Sequence, residues 1–207
     1  MDGPSLQRVS QAARRHGLAV ACPYPERALV AGEERFYDAI ALFAPDGTLL
    51  RNYRKTHLWG PDEKLCWSRG YEHPEEGPAF TVQPVNGIAV GLLNCYEAEF
   101  PELSRQLALQ GAQLVLIPTA ADSWARLSDG SRTDRPYPDV SRSCIPTNAF
   151  SNSCFVAYAN RCGEERVEDT VMAGYLGNSI VCGPHGDVLV AARPEPTLLL
   201  ADCIPGD

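Results

Sequence analysis

An apolar run over residues 88–93 leads into Asn94-Cys95-Tyr96, a helix start follows at Phe100-Pro101-Glu102, and a second apolar run covers residues 112–117. Short apolar runs on either side of a helix read as strands, so the unit is a strand, a turn carrying a thiol, a helix and another strand, which points to an α/β fold. It also places a thiol where a strand gives way to a helix. The positive end of a helix favours a thiolate, and the thiolate is the nucleophilic form of cysteine. The unit therefore points to an enzyme that attacks through Cys95. The competing reading is a small buried hydrophobe, which is what free cysteines often are.

The rest of the chain reads as alternating elements. Residues 5–16 form an amphipathic helix with Leu6, Val9, Ala12 and Ala13 on one face and Gly17 as its stop. Strands are expected at residues 18–22, 36–43 and 49–53, the last two joined by a turn at Pro45-Asp46-Gly47-Thr48. Residues 56–79 read as irregular. Residues 80–85 and 88–93 form a hairpin around Asn86-Gly87, and a helix spans residues 101–110. A polar loop is expected over residues 121–143, then a helix from near Pro146 to Ser153. Strands follow at residues 155–160, 179–182, 188–191 and 198–203, with a turn at Pro184-His185-Gly186-Asp187. Hairpins mixed with a strand–helix–strand unit give a layered α/β domain with mixed sheets.

Composition narrows the function. A length of 207 residues suits a single domain spanning 1–207 with a self-supporting core. A net charge of −8 argues against a nucleic-acid partner, and no apolar stretch has the length to cross a bilayer. The eight cysteines are scattered, without C-x-x-C or zinc-finger spacing and without a secretory leader before them. They are read as reduced thiols of a cytoplasmic protein, with no metal.

A second charged segment, Tyr53-Arg54-Lys55-Thr56-His57-Leu58, lies just past an expected strand, with Glu63 in the same loop. A lone lysine there is ordinarily a surface charge. Beside a thiol, however, an ammonium lowers the thiol pKa and holds an oxyanion, and a carboxylate completes a set suited to acyl transfer.

Taken together these segments resemble the nitrilase, or carbon–nitrogen hydrolase, superfamily. Residues 53–58 look like its lysine motif, and Glu63 with Trp67 and Gly70 like its following glutamate segment. Residues 94–102 look like its nucleophile motif. Leu107-Ala108-Leu109-Gln110-Gly111-Ala112, Ile117-Pro118-Thr119-Ala120, residues 155–161, Gly177-Asn178-Ser179 and Pro184-His185-Gly186 continue the series. The resemblance implies an αββα sandwich that hydrolyses non-peptide C–N bonds of amides, ureas or nitriles without metal or organic cofactor. In that scheme Cys95 forms a thioester, Lys55 and the Tyr96 N–H stabilise the oxyanion, and Glu63 holds Lys55. Glu97, Phe100 and Thr119 belong to the oxyanion and substrate-binding surface. The substrate is a small linear amide or carbamoyl compound, and the protein pairs as a homodimer or larger homo-oligomer.

The resemblance also sets out departures. The family's general-base glutamate lies upstream of the segment corresponding to Met1, so the domain is expected to be incomplete at both ends and to hold Cys95, Lys55 and Glu63 without that base. Asn148-Ala149-Phe150-Ser151-Asn152 stands where relatives carry Arg-Ala-x-Glu-Asn, so their ion pair is not expected. The loop over residues 121–143 is long, and its Trp124, Arg126, Arg132, Arg135 and Tyr137 either rim a pocket or form a solvated insertion. Two function classes follow: an amidase-type hydrolase, and a catalytically inactive truncated relative acting by association with other subunits. A papain-like site using His57 or His73 as base is a third reading, with no asparagine partner evident.

Overall fold

The computed structural model describes residues 3–126 and 131–205, leaving aside the side chains of residues 125, 126, 132, 134 and 135. Helix α1 (Pro4–His16) ends at Gly17, whose φ of 62° is the left-handed cap conformation that glycine adopts without strain. Its apolar stripe packs on one face of a three-stranded antiparallel sheet, β1 (Val20–Val30), β2 (Glu33–Phe43) and β3 (Leu49–Arg54). The Asp46-Gly47 turn joins β2 to β3 as expected, with Asp46 Oδ1 accepting the Thr48 N–H at 2.8 Å.

Strand β1 runs well past its expected end at Cys22. Pro23 and Pro25 argue against a strand because neither donates to a ladder. But β1 is the edge of its sheet, and an edge strand has one side with no ladder to maintain. Ala31 and Gly32, at φ of 52° and 84°, then turn the chain into β2, which starts at Glu33 rather than at Phe36.

The expected irregular stretch contains a short helix, α2 (Gly60–Cys66), and a 3₁₀ turn at Pro74–Glu76. Next come β4 (Gln83–Val85), β5 (Ile88–Leu92), α3 (Pro101–Leu109) and β6 (Leu114–Thr119). The expected polar loop contains a small antiparallel pair, β7 (Trp124–Arg126) and β8 (Arg132–Pro136). Helix α4 (Val140–Asn152) starts well before Pro146, with Asp139 accepting the Ser141 N–H as its cap. Pro146 removes one hydrogen bond from the helix interior, and the fully buried Ile145 and Ala149 on either side hold the helix together.

Strand β9 (Phe155–Asn160) precedes a hairpin the sequence did not announce, β10 (Cys162–Val167) with β11 (Thr170–Leu176). β10 is polar and exposed, so no apolar alternation marks the first half of the hairpin. The chain then forms β12 (Ile180–Cys182) and β13 (Val188–Ala191). The strand expected over residues 198–203 does not form, because no ladder reaches it; Leu198 and Leu200 are exposed.

The second sheet has the order β13-β12-β9-β6-β5-β4. Strands β5, β6 and β9 are parallel, and antiparallel strands flank them, so the sheet is mixed. Ile40, Leu42 and Tyr53 of the first sheet meet Val90 and Leu92 of the second in an inter-sheet core. Leu103, Leu107, Ile145 and Ala149 from α3 and α4 cover the far face on Val115, Ile117 and Val156. With α1 on the opposite side, the layers are α, β, β, α, as expected.

Candidate active site

The strand alternation that buries Ile40 and Leu42 between the sheets also turns Asp38 inward. In the β2–β3 register Ala39 faces Arg54 and Ile40 faces Tyr53. One step further, the Lys55 N–H donates to the Asp38 carbonyl at 2.9 Å. Lys55 thus continues the inward face of Tyr53 and is completely buried. Gly70 closes over it: the Gly70 N–H donates to the Lys55 carbonyl at 2.9 Å, and a Cβ at Gly70 would lie 2.5 Å from Arg54 Cβ. Only glycine tolerates that approach.

Cys95 arrives from the other sheet. It follows β5 after Leu93 and Asn94, starts the 3₁₀ turn Cys95–Glu99, and has a φ of 51°, which costs a non-glycine residue energy that the surrounding packing must offset. Beside it is a cavity of about 310 Å³ lined by Asp38, Lys55, Glu63, Cys95, Thr119 and Arg161, among others. This space lies outside the carboxyl ends of the parallel strands, the usual location for ligands in open α/β sheets. A smaller space of about 40 Å³ adjoins Cys95 on the side of Trp59, Tyr96, Glu99 and Tyr137.

Lys55 Nζ donates to both carboxylate oxygens of Glu63 at 2.8 Å, and Asp38 Oδ2 lies 3.4 Å away. Burial alone pulls the Lys55 pKa down, but Cys95, Glu63 and Asp38 outweigh it and lift the value to about 12. The ammonium is therefore charged at neutral pH. Burial pushes the Cys95 thiol up to about 11, against the pull of Lys55 and the Ala120 backbone amide. The sequence led to the expectation of a thiolate stabilised by a helix start; in the folded site burial, with the negative charges of Glu63 and Asp38, opposes that thiolate, and Lys55 and the Ala120 backbone amide favour it.

Glu97 does not line either cavity. It is fully buried and serves as an internal knot between the two halves of the site. Its Oε1 accepts the Thr56 N–H at 2.7 Å, the Thr56 hydroxyl at 2.6 Å and the His57 N–H at 3.2 Å. Its Oε2 accepts the Tyr53 hydroxyl at 2.7 Å and the Asn94 N–H at 2.8 Å. One carboxylate thereby ties the chain leaving Lys55 to the chain entering Cys95. Substituting Glu97→Gln places N–H donors against donors. The expected cost is about 2–4 kcal/mol of stability, read as a lower midpoint in urea unfolding.

Of the other residues singled out from sequence, Tyr96 and Thr119 line the smaller and larger cavities respectively. Phe100 packs on Tyr96 and His57, with ring centroids 4.9 and 4.7 Å apart, rather than on a cavity wall. His57 is 2.7 Å from the Thr56 hydroxyl, and His73 caps the 74–76 turn; neither lines the space around Cys95. Tyr137 supports the pocket-rim reading of the long loop, donating to both oxygens of Glu99 at 2.8 and 2.9 Å. The side chains of Arg126, Arg132 and Arg135 lie outside the described residues. Asn148, standing where an ion pair was not expected, donates to the Ala98 carbonyl at 2.8 Å and anchors α4 to the turn after Cys95. Asp38 escaped the sequence reading. The signal was a carboxylate sharing strand parity with the core residues Ile40 and Leu42. Among the described residues, no group of three or more His, Cys, Asp or Glu side chains is arranged to hold a metal.

Comparison with known proteins gives a consistent result. Residues 1–206 match the model of the carbon-nitrogen hydrolase family. An (R)-stereoselective amidase from Pseudomonas sp is 34% identical, the match covering 93% of this chain and 60% of that protein. An N-carbamoylputrescine amidase from Arabidopsis thaliana is 29% identical, over 95% of this chain and 63% of that protein. A solved variant of the amidase from Nesterenkonia sp. AN1 carries the acetamide moiety of fluoroacetamide added covalently at its active site cysteine. It matches with a TM-score of 0.73 at 31% identity, covering 93% of this chain and 64% of that one. The chain thus spans about three-fifths of the length of these curated relatives. With its αββα layers and a thiol and a lysine–glutamate pair lining one cavity, the chain belongs to the carbon-nitrogen hydrolase family of the nitrilase superfamily.

Proposed function

We propose that this chain hydrolyses the non-peptide C–N bond of a small linear amide or carbamoyl compound through a thioester on Cys95. The observation that carries this reading is the meeting of Cys95 with the buried Lys55–Glu63 pair on one cavity wall. The S–H bond breaks as the sulfur adds to the substrate carbonyl carbon, the carbonyl π electrons move to oxygen, and the thiol proton ends on the leaving nitrogen. The Lys55 ammonium faces that developing charge, and the Tyr96 N–H, next in the chain after the nucleophile, is the second donor. Collapse of the adduct breaks the C–N bond, releases ammonia or an amine, and leaves the acyl group on sulfur. Water then hydrolyses the thioester.

Glu63 keeps the ammonium aimed at the cavity. Thr119 borders the larger space, while the small aromatic-walled space at Trp59, Tyr96 and Tyr137 suits a short substrate. The covalent adduct at the active site cysteine of the Nesterenkonia amidase supports the same role for Cys95. Homodimer formation belongs to the same reading, and the exposed Leu109 and Phe150 supply apolar surface for it.

The test is to incubate the full chain with propionamide, butyramide and a carbamoyl amine, measuring released ammonia and the mass of the Cys95 peptide after acid quench. Ammonia release with an acyl adduct on that peptide is expected. Absence of both with every substrate overturns the reading.

A further inference from the structure

The two spaces beside Cys95 differ in what walls them. The larger one carries charged groups, Asp38, Lys55, Glu63 and Arg161. Aromatic rings wall the smaller one: Trp59, Tyr96 and Tyr137 line it, together with Glu99. Glu63 borders both, but its carboxylate is engaged by Lys55 Nζ and by the Trp59 N–H. Among the described residues, no lysine or arginine lines the smaller space. The aliphatic tail of an acyl group makes no hydrogen bonds. It gains by leaving water for ring faces, and it would strip water from charges on the other side.

Of these rings, Tyr137 is fixed at both ends. Its backbone N–H donates to the Ser123 carbonyl at 3.0 Å, and the Ser123 N–H donates to the Gly174 carbonyl of β11 at 2.8 Å. The Trp124 ring lies against Gly174, where a Cβ would be 2.8 Å from its Cη2. At the other end the Tyr137 hydroxyl lies 2.8 and 2.9 Å from the two oxygens of Glu99, to which it donates. Glu99 closes the 3₁₀ turn that Cys95 opens. Burial, and then Glu99, push the hydroxyl pKa up, so it stays a donor at neutral pH. The Tyr137 ring meets Trp59 edge to face, with centroids 5.9 Å apart at 82°. The ring is thus clamped between the turn bearing the sulfur and the loop after Lys55.

We propose that Tyr137, held in place by Glu99, sets the longest acyl chain the site accepts. This rests on the amide-hydrolase reading above and deepens it, and no step of the chemistry changes. The smaller space holds about 40 Å³. A water-sized group needs about 10–15 Å³ of cavity, so there is room for about three such groups. That is the tail of butyramide beyond its carbonyl. Longer chains run into the wall made by Tyr137 and Trp59. Turning the Tyr137 ring aside breaks its bond to Glu99 and its contact with Trp59. A single methylene in such a pocket changes the rate by about 10–200-fold, so the limit is sharp. Tyr137 borders the space itself. Glu99 is a positioning residue that acts through that ring.

The experiment measures kcat/KM for ammonia release from acetamide, butyramide and hexanamide by the full chain. Wild type is expected to favour butyramide over hexanamide by at least about 10²-fold. Tyr137→Ala is expected to shrink that ratio by about ten- to hundredfold. Tyr137→Phe keeps the ring and loses the bond to Glu99, so a smaller shift of about two- to tenfold is expected. Glu99→Ala is expected to match Tyr137→Phe, and Glu99→Gln, which keeps an acceptor oxygen, to restore the wild-type ratio. A ratio in Tyr137→Ala within about twofold of wild type overturns the proposal, as does an equal loss on all three amides, the mark of a merely structural role. If Tyr137→Ala does not fold, Tyr137→Leu is read by the same criterion. A wild-type ratio in Glu99→Ala overturns the role of Glu99. If wild type releases no ammonia from any amide, the amide-hydrolase reading fails separately. Labelling of the Cys95 peptide by propyl and hexyl methanethiosulfonate, each rate normalised to that of free cysteine, then decides Tyr137 alone. A hexyl reagent that lags in wild type and catches up in Tyr137→Ala supports the wall, and coincident ratios in the two proteins overturn it.

Discussion

Replacing Cys95 with serine is expected to lower ammonia release by at least about 10⁴-fold while leaving the thermal unfolding midpoint nearly unchanged. The two side chains have nearly the same shape, and serine bears the φ of 51° at this position at much the same cost. The fold therefore loses little. On the proposed mechanism the chemistry loses its nucleophile, because a hydroxyl is far harder to ionise than a thiol in the same place. Lys55 remains to hold an oxyanion and the cavity remains to bind, so residual turnover reflects those terms alone. A coupled ammonia assay and a melting curve read both halves. A serine variant within tenfold of wild type would remove sulfur from the mechanism.

Lys55→Met carries the second large effect, and it falls on stability as well as activity. Methionine fills most of the space but leaves Glu63 and Asp38 facing each other without the cation that lies 2.8 and 3.4 Å from them. Breaking such a pair by removing one partner costs about 3–5 kcal/mol, and ammonia release is expected to be lost with it. The pH dependence gives a second check. The folded pKa of Lys55 is raised to about 12 from 10.5, so the ammonium stabilises the fold in full below about pH 10.5. That contribution is lost as pH rises through about 12. Urea unfolding should therefore show wild type losing its advantage over Lys55→Met across this alkaline window. Equal unfolding midpoints at neutral pH would contradict the buried ion pair.

Local signals account for the elements that were legible. Asn86-Gly87 marks its hairpin because both residues take positive φ, 49° and 84°, and Gly47 does so at 82° in the turn between β2 and β3. Pro101 opens α3 because the first helical position needs no N–H. Where the reading failed, distant partners decided. Pro23 and Pro25 are tolerated in β1 because it lies at a sheet edge, which no local pattern reveals. The β10–β11 hairpin turns at Glu168, with φ of 52°, and its first strand is polar and exposed, so no apolar pattern announces it. Residues 198–203 have the composition of a strand and lack a neighbour to pair with.

The site divides along the same line. The segments around Cys95 and Lys55 stood out because each is a contiguous string that resembles a family pattern, and the structure brings both to one cavity wall. Glu97 was read as part of the substrate surface, yet five donors from both motifs consume it. Asp38 was passed over, yet it lies on the cavity wall with Cys95.

By itself the sequence determined that a strand–helix–strand unit forms, that a thiol stands where its first strand ends, and that a lysine and a glutamate follow another expected hairpin. Those are consequences of local preference and apolar patterning. Only the tertiary structure decided which carboxyls face the ammonium, which one is locked inside, and how strongly the sulfur resists ionisation. Asn94 and Asp38 are 56 positions apart along the chain and 3.0 Å apart in space. Desolvation and Coulomb forces depend on that second distance, so the protonation state of the site is a property of the packed sheets.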